Sequence, residues 1–364
     1  MLVYGLLLLY IILISLIYKK INNKNKKIYL FFVFIGLFFV MGFRGKNVGT
    51  DTGNYCYMFG NIVKAPISEV KDTPVLWIVI NKIFGIFGTK PINYIMPLSF
   101  LILFGMAVFI YKNSEDIVMS LFLFILGFFY FTAFNAGRQY LALTFCINTY
   151  KLFICDNIKK TKKIKIYIIC NIIAILIHPV SIIFLITFPL LFIQPTKKNI
   201  LIYFVGTIMI LGSFVSFAIL LTKYFPHYEL YVGTSGLTNF GFGVGKNRSV
   251  IINILYVIFE GILLYTFNDN YTDKCDMKKH FCFIVINFIN ISLGFMSLTS
   301  IMFSRIQYYF SIFSIIFIPY ILNKFIKKDR NVLKLGYLLI MSIPYYVQIS
   351  ESISGVLPYV FIWN

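Results

Sequence analysis

Arginine is scarce in this chain, and four of the five that occur stand beside residue types suited to holding a phosphate or activating a hydroxyl. Phe43-Arg44-Gly45-Lys46-Asn47-Val48-Gly49-Thr50-Asp51-Thr52-Gly53-Asn54-Tyr55 is a polar, small-residue run directly after an apolar stretch. Its glycines allow close backbone approach to an anion, its Thr and Asn supply neutral donors, and Asp51 is able to accept a proton or orient Arg44. The same composition also suits a solvated turn. Asn135-Ala136-Gly137-Arg138-Gln139-Tyr140 opens an apolar segment, where helix amides and the positive dipole end favour an anion beside Arg138. Snorkelling at a membrane interface is the plainer use of such an arginine. Ile177-His178-Pro179-Val180-Ser181 sets an imidazole where two short apolar segments meet. That is a place for a base or a phosphate ligand as well as for a structural histidine. Ser304-Arg305-Ile306-Gln307-Tyr308-Tyr309 repeats the arginine at a helix end, followed by tyrosines that also suit an interfacial belt. The run 222–248 carries Lys223, His227, Tyr228, Glu229, Tyr231, Lys246 and Arg248 among several glycines and reads as a lid or substrate groove. Its Gly241-Phe242-Gly243-Val244-Gly245 has no preceding strand and no Walker lysine-serine pair, so no nucleotide site is expected there.

The elements that must carry these groups are membrane helices. Hydrophobic residues make up 59% of the 364 positions and charged ones 13%, with a mean hydropathy of +0.84; soluble domains carry about 25% charged residues. Apolar runs predict helices near 2–18, 28–43, 93–111, 117–134, 138–154, 164–178, 180–194, 199–221, 249–267, 281–302, 306–322 and 333–349. The expected architecture is an all-α, polytopic integral membrane bundle of about 12 transmembrane helices. It is read as a single domain over 1–364, with outer loops 44–74 and 222–248 forming part of the substrate site. The pair around His178-Pro179 is short for two spans and suits a broken or re-entrant hairpin, and 75–88 is interrupted by Lys82. Met1–Tyr18 lacks a basic leader and a small-residue cleavage site, so it reads as a retained first helix.

The net charge of +20 comes from lysines between apolar runs. That placement signals topology rather than nucleic acid. With the lysine-rich loop 19–27 inside, both termini fall outside and Lys plus Arg favour the inner side about two to one. Only Arg330 of the five arginines falls inside, while Arg44, Arg138, Arg248 and Arg305 fall outside. Guanidinium is a rigid, permanently charged fork that grips phosphate bidentately, which topology does not require. The six cysteines form no CxxC pair, so neither disulfides nor structural zinc are expected. Within the apolar segments Asn171, Glu260, Asn287 and Asn290 read as interhelical hydrogen-bonding groups, with proton coupling as Glu260's other use.

Taken in order, Phe43-Arg44-Gly45 with Gly49, Thr50, Asp51 and Tyr55, Asn135 with Arg138-Gln139, His178-Pro179 with Ser181, and Arg305 with Tyr308 or Tyr309 resemble the EpsG-like family of exopolysaccharide polymerases. These are relatives in function of the Wzy-type polymerases. The resemblance covers most of the chain and implies a GT-C-like membrane glycosyltransferase of the cytoplasmic (inner) membrane. Such an enzyme joins polyprenyl-diphosphate-linked oligosaccharide repeat units on the outer face. Under that reading Arg138 and Arg305 grip the donor diphosphate, Arg44 assists or holds the acceptor lipid, and His178 or Asp51 deprotonates the attacking hydroxyl. Tyr55 and Tyr308 stack on sugar rings, with Gln139, Arg248 and Tyr309 completing the substrate contacts. Asp51, Glu69, Asp72, Glu229 and Glu351 are scattered, so a metal-independent transfer without cofactor is expected. The implied partners are the lipid-linked donor and acceptor, membrane lipid and a chain-length regulator, with no nucleic acid. Two other readings of the residues are a lipid-linked oligosaccharide flippase and a polysaccharide acyltransferase with His178 as base.

Overall fold

The computed structural model describes residues 1–21, 25–70, 73–154, 157–224, 244–267, 273–298, 301–324 and 327–363. At 214–224, 244–249, 251, 301, 302, 324, 327 and 328 it describes the backbone only. Helices dominate, and among the described residues the one extended pairing is an isolated bridge between Arg44 and Phe361. In chain order the helices are α1 (Leu2–Lys20), α2 (Lys26–Gly42), α3 (Thr52–Lys64), α4 (Val75–Phe84), α5 (Pro91–Asn113), α6 (Ile117–Leu126), α7 (Phe129–Asn135) and α8 (Gly137–Ile147). There follow α9 (Tyr150–Ile154), α10 (Lys160–Ile177), a 3-10 helix (Pro179–Leu191), α11 (Lys197–Tyr224), α12 (Val244–Thr266), α13 (Lys274–Met296), α14 (Ile301–Ser311), α15 (Ser314–Lys324) and α16 (Lys327–Ser350).

Every apolar run of the sequence is helical, yet several of the expected spans are broken. Residues 117–134 form α6 and α7, bent by 49°. The chain turns there because Phe128 takes a left-handed backbone with φ of 67°. Residues 138–154 divide at Asn148, whose side chain donates to the carbonyls of Thr144 (2.8 Å) and Gly105 (3.0 Å). Residues 306–322 divide into α14 and α15, bent by 44°. The segment after His178 is 3-10, and 75–88 is the short helix α4 with one 3-10 turn. Among the described residues four helices are long and apolar enough to cross a membrane, or six if each bent pair counts as one span. On α1, Tyr4, Leu7, Ile11, Ser15 and Tyr18 face inward while Leu6, Leu9, Leu13 and Leu16 are exposed. A helix apolar on both its inner and outer faces belongs in lipid, and the chain is a membrane protein.

The chain falls into two compact units, the first being Met1–Asn148, Ile168–Ile182 and Leu322–Asn364, the second Thr149–Tyr167 and Ile183–Ile321. In the first, α5 packs on α8 through small residues. A Cβ on Gly137 would meet Leu98 at 2.9 Å, and one on Gly105 would meet Thr144 at 2.5 Å. Both pairs are offset by the same number of residues, so α5 and α8 run parallel and Ser99 lies level with Arg138. Contact of α2 with α5 is antiparallel, with Phe38 against Phe100 (6.1 Å) near one end and Lys27 over Tyr111 (6.0 Å) at the other. Cys146 of α8 reaches Asn171 of α10 (3.7 Å). One end of the unit therefore collects Arg44, Tyr94 and Arg138. The opposite end collects Lys19, Lys20, Lys26, Lys27 and Lys112, and there Lys334 pairs with Asp116 (2.5 Å).

The second unit has an aromatic core. Tyr150 stacks on Phe283 (5.6 Å) and meets Phe313 edge-on (5.4 Å), and the Tyr167 hydroxyl is tied to the Phe184 carbonyl (2.9 Å). The residues fill space as well as bonding, since each ring is almost fully buried. Because the α5–α8 register rests on Gly105, Gly105→Val is expected to destabilise the protein by about 1–3 kcal/mol through overpacking against Thr144. The check is a lowered thermal midpoint of the purified protein in detergent; an unchanged midpoint would mean the two helices are not held by this contact.

Candidate active site

The loop after α2 is held from three sides. Its backbone bonds to the C-terminal tail, with Gly45 N–H donating to Val360 O (2.8 Å), Gly49 N–H to Gly355 O (2.7 Å) and Thr50 N–H to Ser354 O (3.2 Å). Tail residue Ile362 N–H donates back to Phe43 O (2.9 Å). Asn135, at the end of α7, donates to Ser354 O (2.9 Å), and Thr52 donates to Val48 O (2.9 Å) and Phe134 O (3.3 Å). Gly49 has φ of 103°, and a Cβ there would lie 2.5 Å from Thr52 Oγ1 and 2.6 Å from Asn135 Oδ1. The glycine is required on both counts.

Arg44 closes this assembly from within. It is 2% exposed. Its Nη1 donates to Met41 O and to Ser99 Oγ (3.2 Å), its Nη2 donates to Phe134 O (3.3 Å), and the guanidinium lies over the Phe134 ring at 4.6 Å. Burial lowers its pKa from the usual guanidinium value, and among the described residues no carboxylate pairs with it. The charge stays, because a guanidinium is not deprotonated in proteins. Structure thus gives Arg44 the place of an internal tie beneath the surface.

Arg138 is the more open cation, half-buried in the first turn of α8, with a buried Nε that has no partner among the described residues. The charges of Arg44 and Arg138 both reach the Tyr94 hydroxyl. Tyr94 is 2% exposed, and its hydroxyl has no protein partner among the described residues. Its ring is caged by Phe59 (5.4 Å), Trp77 (6.2 Å) and Tyr55 (6.5 Å). Asp51 is the N-cap residue of α3, half-buried, and its side chain makes no cap bond. Tyr55 follows one turn later, its N–H bonded to Asp51 O (3.0 Å). Burial pushes the nearby Cys56 thiol up to about 11, against the pull of Arg44 and Lys46, so it is a neutral thiol at physiological pH. Lys82 of α4 holds the hairpin together by donating to Ala65 O (2.7 Å) and Val63 O (3.3 Å) at the end of α3.

Gln139 is 3% exposed and packs inward, as adjacent helix positions are turned about 100° apart. His178 terminates α10 half-buried, its N–H bonded to Ala174 O (2.8 Å) and its carbonyl accepting from Ser181 (3.0 Å). Residues 225–243 of the anticipated lid and the side chain of Arg248 lie outside the described residues.

Arg305 belongs to the second unit, exposed on α14, with Tyr308 half-buried and Tyr309 fully buried beside it. That helix is pinned by a polar seam. Gln307 Nε2 donates to Asn290 Oδ1 (3.0 Å) and Asn253 Oδ1 (3.3 Å), while Asn287 Nδ2 donates to Glu260 Oε2 (2.8 Å) and Tyr256 O (3.1 Å). Gly294 permits this approach, since a Cβ there would sit 2.2 Å from Asn253 Oδ1. Glu260 and Asn287 thus act as interhelical hydrogen-bonding groups, as their sequence context suggests. Among the described residues no group of three or more His, Cys, Asp or Glu side chains comes together.

Sequence reasoning missed Tyr94, Ser99 and the tail. Tyr94 lies at the start of an apolar helix and reads as an interfacial tyrosine, and the tail has no periodicity; Gly355 and Pro358 were its only signal. Gly49→Ala is expected to cost on the order of 1–3 kcal/mol, from a strained backbone and two contacts with no room to yield. The measurement is the thermal midpoint in detergent, and a value equal to wild type would show that the loop relaxes without cost.

A model of the EpsG family matches residues 27–361, a span that runs from the start of α2 to the docked tail. No curated protein and no solved structure matches the chain. The match includes the Arg44 loop, Arg138, His178 and Arg305, and the chain belongs to the EpsG family.

Proposed function

We propose that this protein is a membrane glycosyltransferase that polymerises polyprenyl-diphosphate-linked oligosaccharide repeat units at the outer face of the cytoplasmic membrane. Family membership supports an exopolysaccharide-related polymerase. The observation that carries the residue assignment is Arg138. Its half-buried guanidinium has a buried Nε without a partner among the described residues, stands at the head of an uncapped helix, and acts electrostatically on Tyr94 together with Arg44. Such a pocket is preorganised for an anion. Exposed Lys19, Lys20, Lys26, Lys27 and Lys112 at the other end of the first unit outnumber exposed Lys46 and Lys90 at this one, which supports the orientation, since lysines collect on the cytoplasmic side.

In the reaction, a hydroxyl of the acceptor sugar attacks the anomeric carbon of the donor. The new glycosidic C–O bond forms as the bond from that carbon to the diphosphate oxygen breaks. The bonding electrons leave with the lipid diphosphate, and Arg138 with the Tyr94 hydroxyl stabilises the added charge. The hydroxyl proton passes to Asp51 or His178. Tyr55, half-buried beside Asp51, provides an aromatic face for a sugar ring. Arg44 acts from beneath, through its charge and through the loop it holds.

The test is incubation of purified protein with a lipid-linked repeat unit, scored as a ladder of products. Arg138→Ala is expected to lower ladder formation by about 10²–10³-fold at normal abundance. Arg138→Lys is expected to fall nearly as far, because an ammonium cannot bridge two phosphate oxygens. Wild-type ladders from both variants would refute the assignment, and transport of unchanged lipid without any ladder would identify a flippase instead.

A further inference from the structure

A second feature of the first unit lies outside the arginine cluster and is independent of the polymerase reading. Along the outer side of α2 and α5 runs an apolar cleft of about 470 Å³. It extends from Lys27 and Tyr111 at one end to Phe38 and Phe100 at the other, with Phe104 and Ala107 along its wall. Lys27 to Phe38 is eleven helical steps, or about 16 Å. That is close to half of a hydrocarbon core about 30 Å thick, the depth of one leaflet. Lys27 is the one charged side chain lining the cleft, and it sits at the mouth.

Around that mouth the charge is one-sided. Lys19 and Lys20 end α1, Lys26 and Lys27 begin α2, and Lys112 ends α5; all five are exposed. The ends of α1 and α2 meet through Tyr18 stacked on Tyr29 (4.3 Å), and α5 joins them where Lys27 lies over Tyr111. The acidic groups nearby are engaged elsewhere. Asp116 pairs with Lys334 (2.5 Å), and Glu115 accepts from Asn323 (3.2 Å). Every membrane helix is wetted by lipid, but a cleft one leaflet deep beneath five exposed lysines, which outnumber the nearby Glu115 and the paired Asp116, selects among lipids. Basic pockets between membrane helices hold anionic headgroups, at about 1 kcal/mol for each lysine at the surface.

We propose that the α2–α5 cleft is a specific site for an anionic phospholipid, one acyl chain lying along the cleft and the phosphate held by Lys27 with its neighbouring lysines. The zwitterionic lipid of the same chain length lacks the net charge to satisfy them. A polyprenyl phosphate has the charge but carries a branched chain much longer than the cleft.

The experiment is native mass spectrometry of the full chain in mild detergent, titrated in turn with phosphatidylglycerol, phosphatidylcholine of the same acyl chains, and a polyprenyl phosphate. Phosphatidylglycerol is expected to be retained at least tenfold better than phosphatidylcholine. Lys27→Gln, at an exposed position that leaves the fold intact, should weaken phosphatidylglycerol retention about fivefold, the effect of one lysine at an anionic surface. Ala107→Phe fills the cleft without touching a charge and should abolish the retained lipid, which purely electrostatic attraction at the lysine end would not explain. Equal retention of the two phospholipids, or unchanged retention in either variant, would overturn the proposal. So would displacement of phosphatidylglycerol by polyprenyl phosphate at lower concentration, which would make the cleft a seat for a prenyl chain.

Discussion

The arginine end of the first unit depends on one buried cation bonded to neutral oxygens. Arg44 spends its donors on the Met41 and Phe134 carbonyls and the Ser99 hydroxyl, so the end of α2, the start of α5 and the end of α7 share one hub. A salt bridge in its place would have cancelled the charge. Carbonyls and a hydroxyl take up the two terminal nitrogens, Nε has no partner among the described residues, and nothing neutralises the charge, so the field persists into the surroundings. Tyr94, Cys56 and Tyr359 all feel it. In a medium of low polarizability this reaches farther than it would in water. A second cation set level with Ser99 therefore stands in a region already positive, an arrangement that costs stability until an anion enters.

Such a cost is bearable only if the scaffold does not relax, and the scaffold is stiff where the site needs it. Gly137 and Gly105 fix α8 against α5 at two points, leaving no freedom to slide. The tail adds a second constraint. It bonds to the loop through backbone groups of Gly45, Gly49 and Thr50, and the tail itself is anchored by the Tyr4 hydroxyl on Val356 O (2.7 Å) and by Tyr359 on Val40 O (2.9 Å). Polar backbone at a helix end is tolerated near lipid only when it is satisfied internally, and here tail and loop satisfy each other. The strand-like contact between Arg44 and Phe361 follows from that need.

Helix positions were legible because a run of apolar residues in lipid has one stable local conformation, and the runs near Leu2, Pro91 and Lys274 emerged as long helices. The breaks were not legible. Phe128 in a left-handed conformation has no sequence signature, and Asn148 ends α8 by reaching a carbonyl of α5, a tertiary partner. Residues 179–191 looked like a short span and are 3-10, because hydropathy does not separate one helical pitch from another. For the site, residue type pointed to Arg44 and Arg138 equally. What separated them was burial and partners, and carbonyl partners leave no mark in a sequence. Tyr94 was invisible for a related reason: the charges of Arg44 and Arg138 reach it only through the packing of α5, which its place in the sequence does not show.

The contrast between the two ends of the first unit follows from hydration. An ammonium is compact and strongly hydrated, whereas a guanidinium is more weakly hydrated and tolerates partial burial. Lys19, Lys20, Lys26, Lys27 and Lys112 are all exposed, while Arg44 is buried and Arg138 half-buried. Exposed lysines attract whatever anion is abundant at a membrane surface, and they do so without fixed geometry. Half-buried guanidiniums bind one anion in one orientation, because the fork cannot turn and the surrounding protein excludes competing water. A polymerising enzyme must hold a diphosphate while its bond to sugar breaks and then release it as a free lipid carrier. Under the proposed function, with Arg44 committed to the backbone, the first unit offers the diphosphate the one half-buried guanidinium of Arg138. A single fork of that kind stabilises a developing charge and still lets the product go.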